Sequence, residues 1–249
     1  MSEQREFTYT VQKGDNLYAL SKKFETTVQS ILNHNPFINP YDFQAGTEIK
    51  VYAGKNYAAE IKNAERTRRA SEKETALSEK MRLAWLQHVY WTRMLLISIA
   101  ERLDDQSEVT DRLLRNPKDI ADIFAEYYTD GAAAEIAKLL TEHLIIGAEI
   151  ITALRDGKAD EAKALDEKWY KNADEMAAAF SGLNPFYKRD ELQKMLYTHL
   201  DLTKDEVAAR LGKAYKKDIE AFGRVEDEAL SMADWFVDGI IKQFPQMFE

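Results

Sequence analysis

In the last two thirds of this chain the same residue types return every 56 positions. Phe124, Phe180 and Phe236 keep that spacing, as do Ile120, Met176 and Met232, and Ala121, Ala177 and Ala233. His143 and His199 are 56 apart, and His88 lies 55 before His143. Around these positions apolar residues recur at helical period, with few strand signals. A recurrence of this length predicts three copies of one helical hairpin across 81–249, each helix too long for the common repeats of 33 or 34 residues. The first helices are predicted at 77–103, 133–155 and 189–211, the second at 107–128, 159–181 and 214–243. Gly157, Gly131 and the Gly182 to Pro185 segment punctuate them, and Pro117 breaks or restarts the second helix of the first hairpin.

Each histidine falls on the apolar stripe of its helix. The stripes read Met81, Trp85, His88, Thr92, Leu95, Ile99; Ile136, Leu140, His143, Gly147, Ile150, Leu154; and Leu192, Leu196, His199, Thr203, Val207. In the second helices Asn116, Asn172 and Glu228 stand four residues before Ile120, Met176 and Met232, again on the buried face. The pattern predicts a polar layer crossing an apolar interior. A buried polar group left without a partner costs about 1–3 kcal/mol, so the histidines must pair with the amides and carboxylate, or with backbone carbonyls. A sharper reading of the same layer is a metal site, in which His88, His143 and His199 with Glu142 or Glu228 hold zinc, iron or manganese. No cofactor is otherwise called for. There is no Glu-x-x-His pair.

Residues 1–53 have a different texture. Phe7, Tyr9 and Val11 alternate with polar residues as in a half-buried strand. Lys13-Gly14-Asp15 makes a turn, with Asp15 placed to cap a helix carrying Leu17, Leu20 and Phe24. Thr26 or Thr27 caps a second helix with Val28, Ile31 and Leu32. A Pro-rich loop follows, and Gly46 leads into a strand with Ile49 and Val51. The order is β-α-α-β. Residues 54–80 read as a charged, helical linker in which Glu65 and Arg69 sit at supportive spacing. The fold class is therefore multidomain: a small α+β module followed by an all-α bundle of about six helices.

The pieces Tyr9-Thr10-Val11, Gly14-Asp15-Asn16-Leu17, Ile31-Leu32, the loop from Asn35 to Pro40 and the stretch from Ala45 to Val51 resemble a LysM domain over residues 9–51. The resemblance implies binding of peptidoglycan or chitin oligosaccharides that contain N-acetylglucosamine. It implies a groove in which Gly14, Asp15, Asn16 and Leu17 face Phe37, Ile38 and Asn39. Asn16 stands where Thr or Ser is usual in that family, and Thr47 where Gln is usual. The helical region, in Asn116-Pro117-Lys118-Asp119, the Leu140 to Leu144 string and the Asn172 to Ala177 string, is similar to an uncharacterised helical family of spore-forming Gram-positive bacteria.

Composition narrows the function classes. Cysteine is absent, which excludes disulfides, thiolate metal sites and cysteine nucleophiles. The net charge of −9 opposes a phosphate-tracking surface, and acids interleave with Arg66, Arg68 and Arg69, so no nucleic acid is expected. No apolar stretch reaches the length of a membrane span, and the N-terminus lacks the pattern of a signal peptide. Synthesis in the cytoplasm with deposition in a spore envelope or cell wall is the expectation. No Gly-x-Ser-x-Gly, Gly-rich phosphate loop or Walker-type lysine is present. The leading reading is a non-catalytic protein that binds a glycan through residues 9–51 and carries the bundle as scaffold, partner-binding or metal-binding unit. The alternative is a metal-dependent bundle oxidoreductase or a cell-wall hydrolase.

Overall fold

A computed structural model describes the 249-residue chain except residues 1–4, 37, 39–43, 54–56 and 249. Side chains are further described except at 5, 29, 53 and 57–71, so the charges of the linker from Glu60 to Arg69 lie outside the described residues. The chain forms two compact units, 1–69 and 70–249. The division falls inside the segment read from the sequence as a linker.

In the first unit, β1 (Arg5–Thr10) pairs antiparallel with β2 (Glu48–Ala53) from Arg5 opposite Ala53 to Thr10 opposite Glu48. Two helices lie between them, α1 (Leu17–Lys23) and α2 (Val28–His34). Alternation in the strands and helical spacing in α1 and α2 turn Val11, Leu17, Leu20, Ile31, Ile49 and Val51 into one small core. Asn35 clamps the return loop to this core. It is fully buried; its Nδ2 donates to the carbonyls of Ile31 (2.6 Å) and Lys50 (2.8 Å), and its Oδ1 accepts from the Lys50 amide (2.8 Å). The second helix is capped by Thr27, whose side chain accepts from the Ser30 amide. The first is capped by Asn16 rather than by Asp15, a correction explained below.

The second unit is all helical: α3 (Tyr57–Glu101, which begins before the division), α4 (Gln106–Leu113), α5 (Asn116–Ala125), α6 (Asp130–Arg155), α7 (Ala159–Leu183), α8 (Arg189–Leu211) and α9 (Tyr215–Gln243). The interruption before Pro117 is real. A proline in the first turn sacrifices only an amide that has no intrahelical acceptor, so α5 starts afresh there. None of the helices, among the described residues, is long and apolar enough to cross a membrane.

The residues spaced by 56 meet in the core. Phe124, Phe180 and Phe236 form a triangle of rings with centroids 5.2, 5.5 and 4.7 Å apart, all at most 2 % exposed. Tilted and edge-on contacts of this kind suit the ring quadrupoles. Ile120, Met176, Met232 and the three equivalent alanines are buried beside them. A second apolar cluster, Leu95, Leu96, Ile99, Leu113, Leu144, Ile151 and Val207, is separate from the first. Along α3 and α8 the histidine comes after Trp85 and Leu196 of the first cluster and before Leu95 and Val207 of the second. Of the striped residues only Leu154, in the last turn of α6, is well exposed (41 %).

Candidate functional site

The turn before α1 is built around Asp15. Its Oδ2 accepts from the Gln12 amide (2.8 Å) and the Tyr9 hydroxyl (2.7 Å), and Lys23 Nζ donates to that hydroxyl (3.1 Å). These donors, the Gln12 amide first and Tyr9 second, hold the carboxyl below the usual carboxylate range. Asp15 is thus spent on closing the turn. Asn16, extended at φ −139° and ψ 158°, accepts from the Ala19 amide and caps α1. Gly14 makes the turn feasible at φ +94°, a conformation that costs a residue with a Cβ.

The residues named for glycan binding are distributed accordingly. Gly14 and Asn16 are exposed, and Asp15 is half-buried. Leu17 is buried in the core, so only its backbone is available to a ligand. Ile38 packs against that same core, with its amide donating to the Asn35 carbonyl (3.0 Å). Phe37 and Asn39 lie outside the described residues. Tyr18, which the sequence did not single out, is 67 % exposed in the first turn of α1.

The second unit holds a more unusual arrangement. His88, His143 and His199 come together from α3, α6 and α8, with ring centroids 6.1, 5.8 and 6.1 Å apart. All three are buried, and one ligand atom from each lies within 4.8 Å of the others. Each ring is held from behind by the residue that the stripe pattern names, on α5, α7 and α9 respectively. His88 Nδ1 lies 3.1 Å from Asn116 Oδ1, His143 Nδ1 lies 3.3 Å from Asn172 Oδ1, and His199 Nδ1 lies 2.9 Å from Glu228 Oε2. The two amides are themselves oriented, because Asn116 Nδ2 donates to the Ala84 carbonyl (2.8 Å) and Asn172 Nδ2 to that of Leu139 (3.1 Å).

That orientation settles the tautomer. An amide or carboxylate oxygen only accepts, so Nδ1 carries the proton in each ring and Nε2 keeps its lone pair when the imidazole is neutral. Burial, and then the charge of His199, push the His88 imidazolium down to about 3; burial with both neighbouring histidines puts His143 well below its ordinary value. Among the described residues no donor is bonded to any of the three Nε2 atoms.

The three rings border a cavity with about 30 Å³ of space, lined also by Thr92, Gly147, Thr203, Trp169 and apolar residues from the second cluster. The positions four after each histidine are small for a reason. Thr92 and Thr203 donate back to the carbonyls of His88 and His199 (2.8 Å each), and a Cβ on Gly147 would stand 3.2 Å from the Trp169 ring, whose Nε1 donates to the His143 carbonyl (3.0 Å). Glu142 is half-buried and does not join the cluster; as the residue before His143 it points about 100° away around α6. Glu228 joins through His199, and its other oxygen, Oε1, is buried with no bonded partner.

Asn172→Ala would strand both the His143 Nδ1–H and the Leu139 carbonyl. The expected loss is about 1–3 kcal/mol, read from the urea midpoint of the full chain, with Asn172→Asp less damaging because it keeps the acceptor.

Sequence reading did not find a buried charge cluster beside this layer. Arg93 on α3 reaches Glu206 on α8 (2.5 Å) and Asp218 on α9 (2.7 Å), both carboxylates being almost fully buried. Arg210 approaches Asp218 (3.4 Å) and Glu101 (3.0 Å). Burial raises the Glu206 carboxyl to about 7, against the opposing pull of Arg93.

Comparison with known proteins bears on the first unit. The family model of the LysM domain matches residues 9–51. No curated protein and no solved structure matches the chain.

Proposed function

We propose that the chain is a non-catalytic binding protein that attaches through residues 9–51 to a polymer containing N-acetylglucosamine, peptidoglycan or chitin, and carries the helical unit to that polymer in a cell wall or spore envelope. The LysM match is the observation that carries this reading. The local geometry supports it. The turn at Gly14 is closed by Asp15 and Asn16 through their own side chains, which leaves backbone of the exposed Gly14 and Asn16 for the acetamide groups of a sugar. A shallow surface making a few hydrogen bonds gives weak affinity per site, roughly micromolar to millimolar.

Co-sedimentation tests attachment directly. The full chain should pellet with intact peptidoglycan sacculi or with chitin and be displaced by soluble chito-oligosaccharides. Replacement of Gly14 by valine, which strains the turn at positive φ, should release it. A chain that stays in the supernatant with both polymers contradicts the reading.

A further inference from the structure

We infer that His88, His143 and His199 form a mononuclear binding site for a divalent transition metal of the zinc class, with a fourth coordination position open toward the adjoining cavity. The inference rests on the second unit alone and stands or falls independently of glycan binding.

Three observations carry it. First, one ring nitrogen of each histidine lies within 4.8 Å of the others. Nδ1 is occupied in every ring by an acceptor from another helix, Asn116 of α5, Asn172 of α7 or Glu228 of α9, so the lone pairs left for a ligand are those of Nε2. Hydrogen bonding of the remote nitrogen to an amide or carboxylate is how ligating imidazoles are oriented and made more basic. Second, the centre lacks a donor. Three acceptor nitrogens on buried residues beside one cavity, with no hydrogen bond to a donor among the described residues, are satisfied together by a cation. Third, the scale is close. Zinc–nitrogen bonds of about 2.0–2.1 Å set nitrogens about 3.4 Å apart in a tetrahedron, so rings whose ligand atoms lie within 4.8 Å need to close by under about 1 Å each.

The donor set selects the ion class. Three neutral imidazoles suit zinc, copper, iron and nickel rather than calcium or magnesium, which take oxygen ligands. Glu228 supplies one negative charge behind His199, leaving a divalent centre with a net charge near +1. That charge favours water, hydroxide or a small monoanion as the fourth ligand. Small residues one turn after each histidine leave the room for it: Thr92, Gly147 and Thr203 all line the cavity.

The test uses untagged full-length chain, stripped with EDTA and titrated at neutral pH with Zn²⁺, and separately with Co²⁺ as a coloured reporter. The expected result is one ion per chain with micromolar or tighter affinity, a raised melting temperature, and the intense visible bands of four-coordinate cobalt. Azide added to the cobalt form should shift those bands, because it enters the open position. His143→Ala should weaken binding by at least about 100-fold. Should that variant fail to fold, Glu228→Gln keeps the hydrogen-bond acceptor and removes only the charge, and it should weaken binding about 10- to 100-fold with the helical circular dichroism unchanged. Absence of stoichiometric binding of either ion, or binding that Glu228→Gln leaves undiminished, overturns the site. Cobalt bands that ignore azide overturn the open position.

Discussion

Replacing Arg93 by alanine is expected to destabilise the helical unit by about 3–5 kcal/mol, the range for breaking one partner out of a buried ion cluster. The guanidinium forks between Glu206 and Asp218, which are 3 % and 1 % exposed as side chains, and it also stacks 4.6 Å over the Phe222 ring. Without it the Glu206 and Asp218 carboxyl groups from α8 and α9 are left buried without the partner they share. Arg210 approaches only one of them. Arg93→Lys should recover part of the loss, since a lysine restores the charge without the planar fork that serves both carboxylates. Urea unfolding of the full chain, followed by helical circular dichroism, reads the difference. A change of under about 1 kcal/mol would mean that the cluster is hydrated after all.

Acid is expected to weaken the EDTA-treated protein well above the range in which ordinary carboxylates titrate. His88 protonates in the folded state only near pH 3, and His143 well below its ordinary value, whereas both take up protons near 6.5 when unfolded. The unfolded state therefore binds more protons through this window, and the stability present above about pH 6.5 is lost as pH falls toward 3. Glu206 works the other way. Its folded value near 7 lies above its unfolded one, so its contribution is complete below about 4.5 and is lost as pH rises through 7. Two histidines against one carboxyl leave a net uptake of about one proton on unfolding, a slope of about 1.4 kcal/mol per pH unit, hence a loss of about 2–3 kcal/mol between pH 6.5 and 4.5. Glu206→Gln removes the opposing group and should roughly double the slope. A midpoint that is flat across this window would contradict neutral, buried imidazoles.

The histidine layer was legible in the sequence because burial and polarity conflict there. A polar residue on an apolar stripe is conspicuous, and three of them at matched spacing, each answered by Asn116, Asn172 or Glu228, point to one place. The structure puts them there. The Arg93 cluster rests on the same kind of conflict and went unread. Asp218 precedes Phe222, Val225, Ala229, Met232 and Phe236 at steps of four and three, all buried, so it too sits on a core stripe. Charged residues are common on helices, and only the end of the stripe marked this one as internal. The α1 cap shows a different limit. Asp15 and Asn16 are both good caps one residue apart; the choice was made by Tyr9 and Gln12, which claim the Asp15 carboxylate from outside the helix. The size of the residue at 147 likewise depends on Trp169, which no local pattern brings to it.

Attachment to a glycan is the central claim, and an amide titration of the full chain with chitin pentaose tests it most directly. Saturable shifts should appear at Gly14, Asp15, Asn16, Leu17 and Ile38, extend to Phe37 and Asn39, and fit a dissociation constant roughly between micromolar and millimolar. The resonances of His88, His143 and His199 should stay in place. Shifts confined to the helical unit, or none at millimolar sugar, would contradict it.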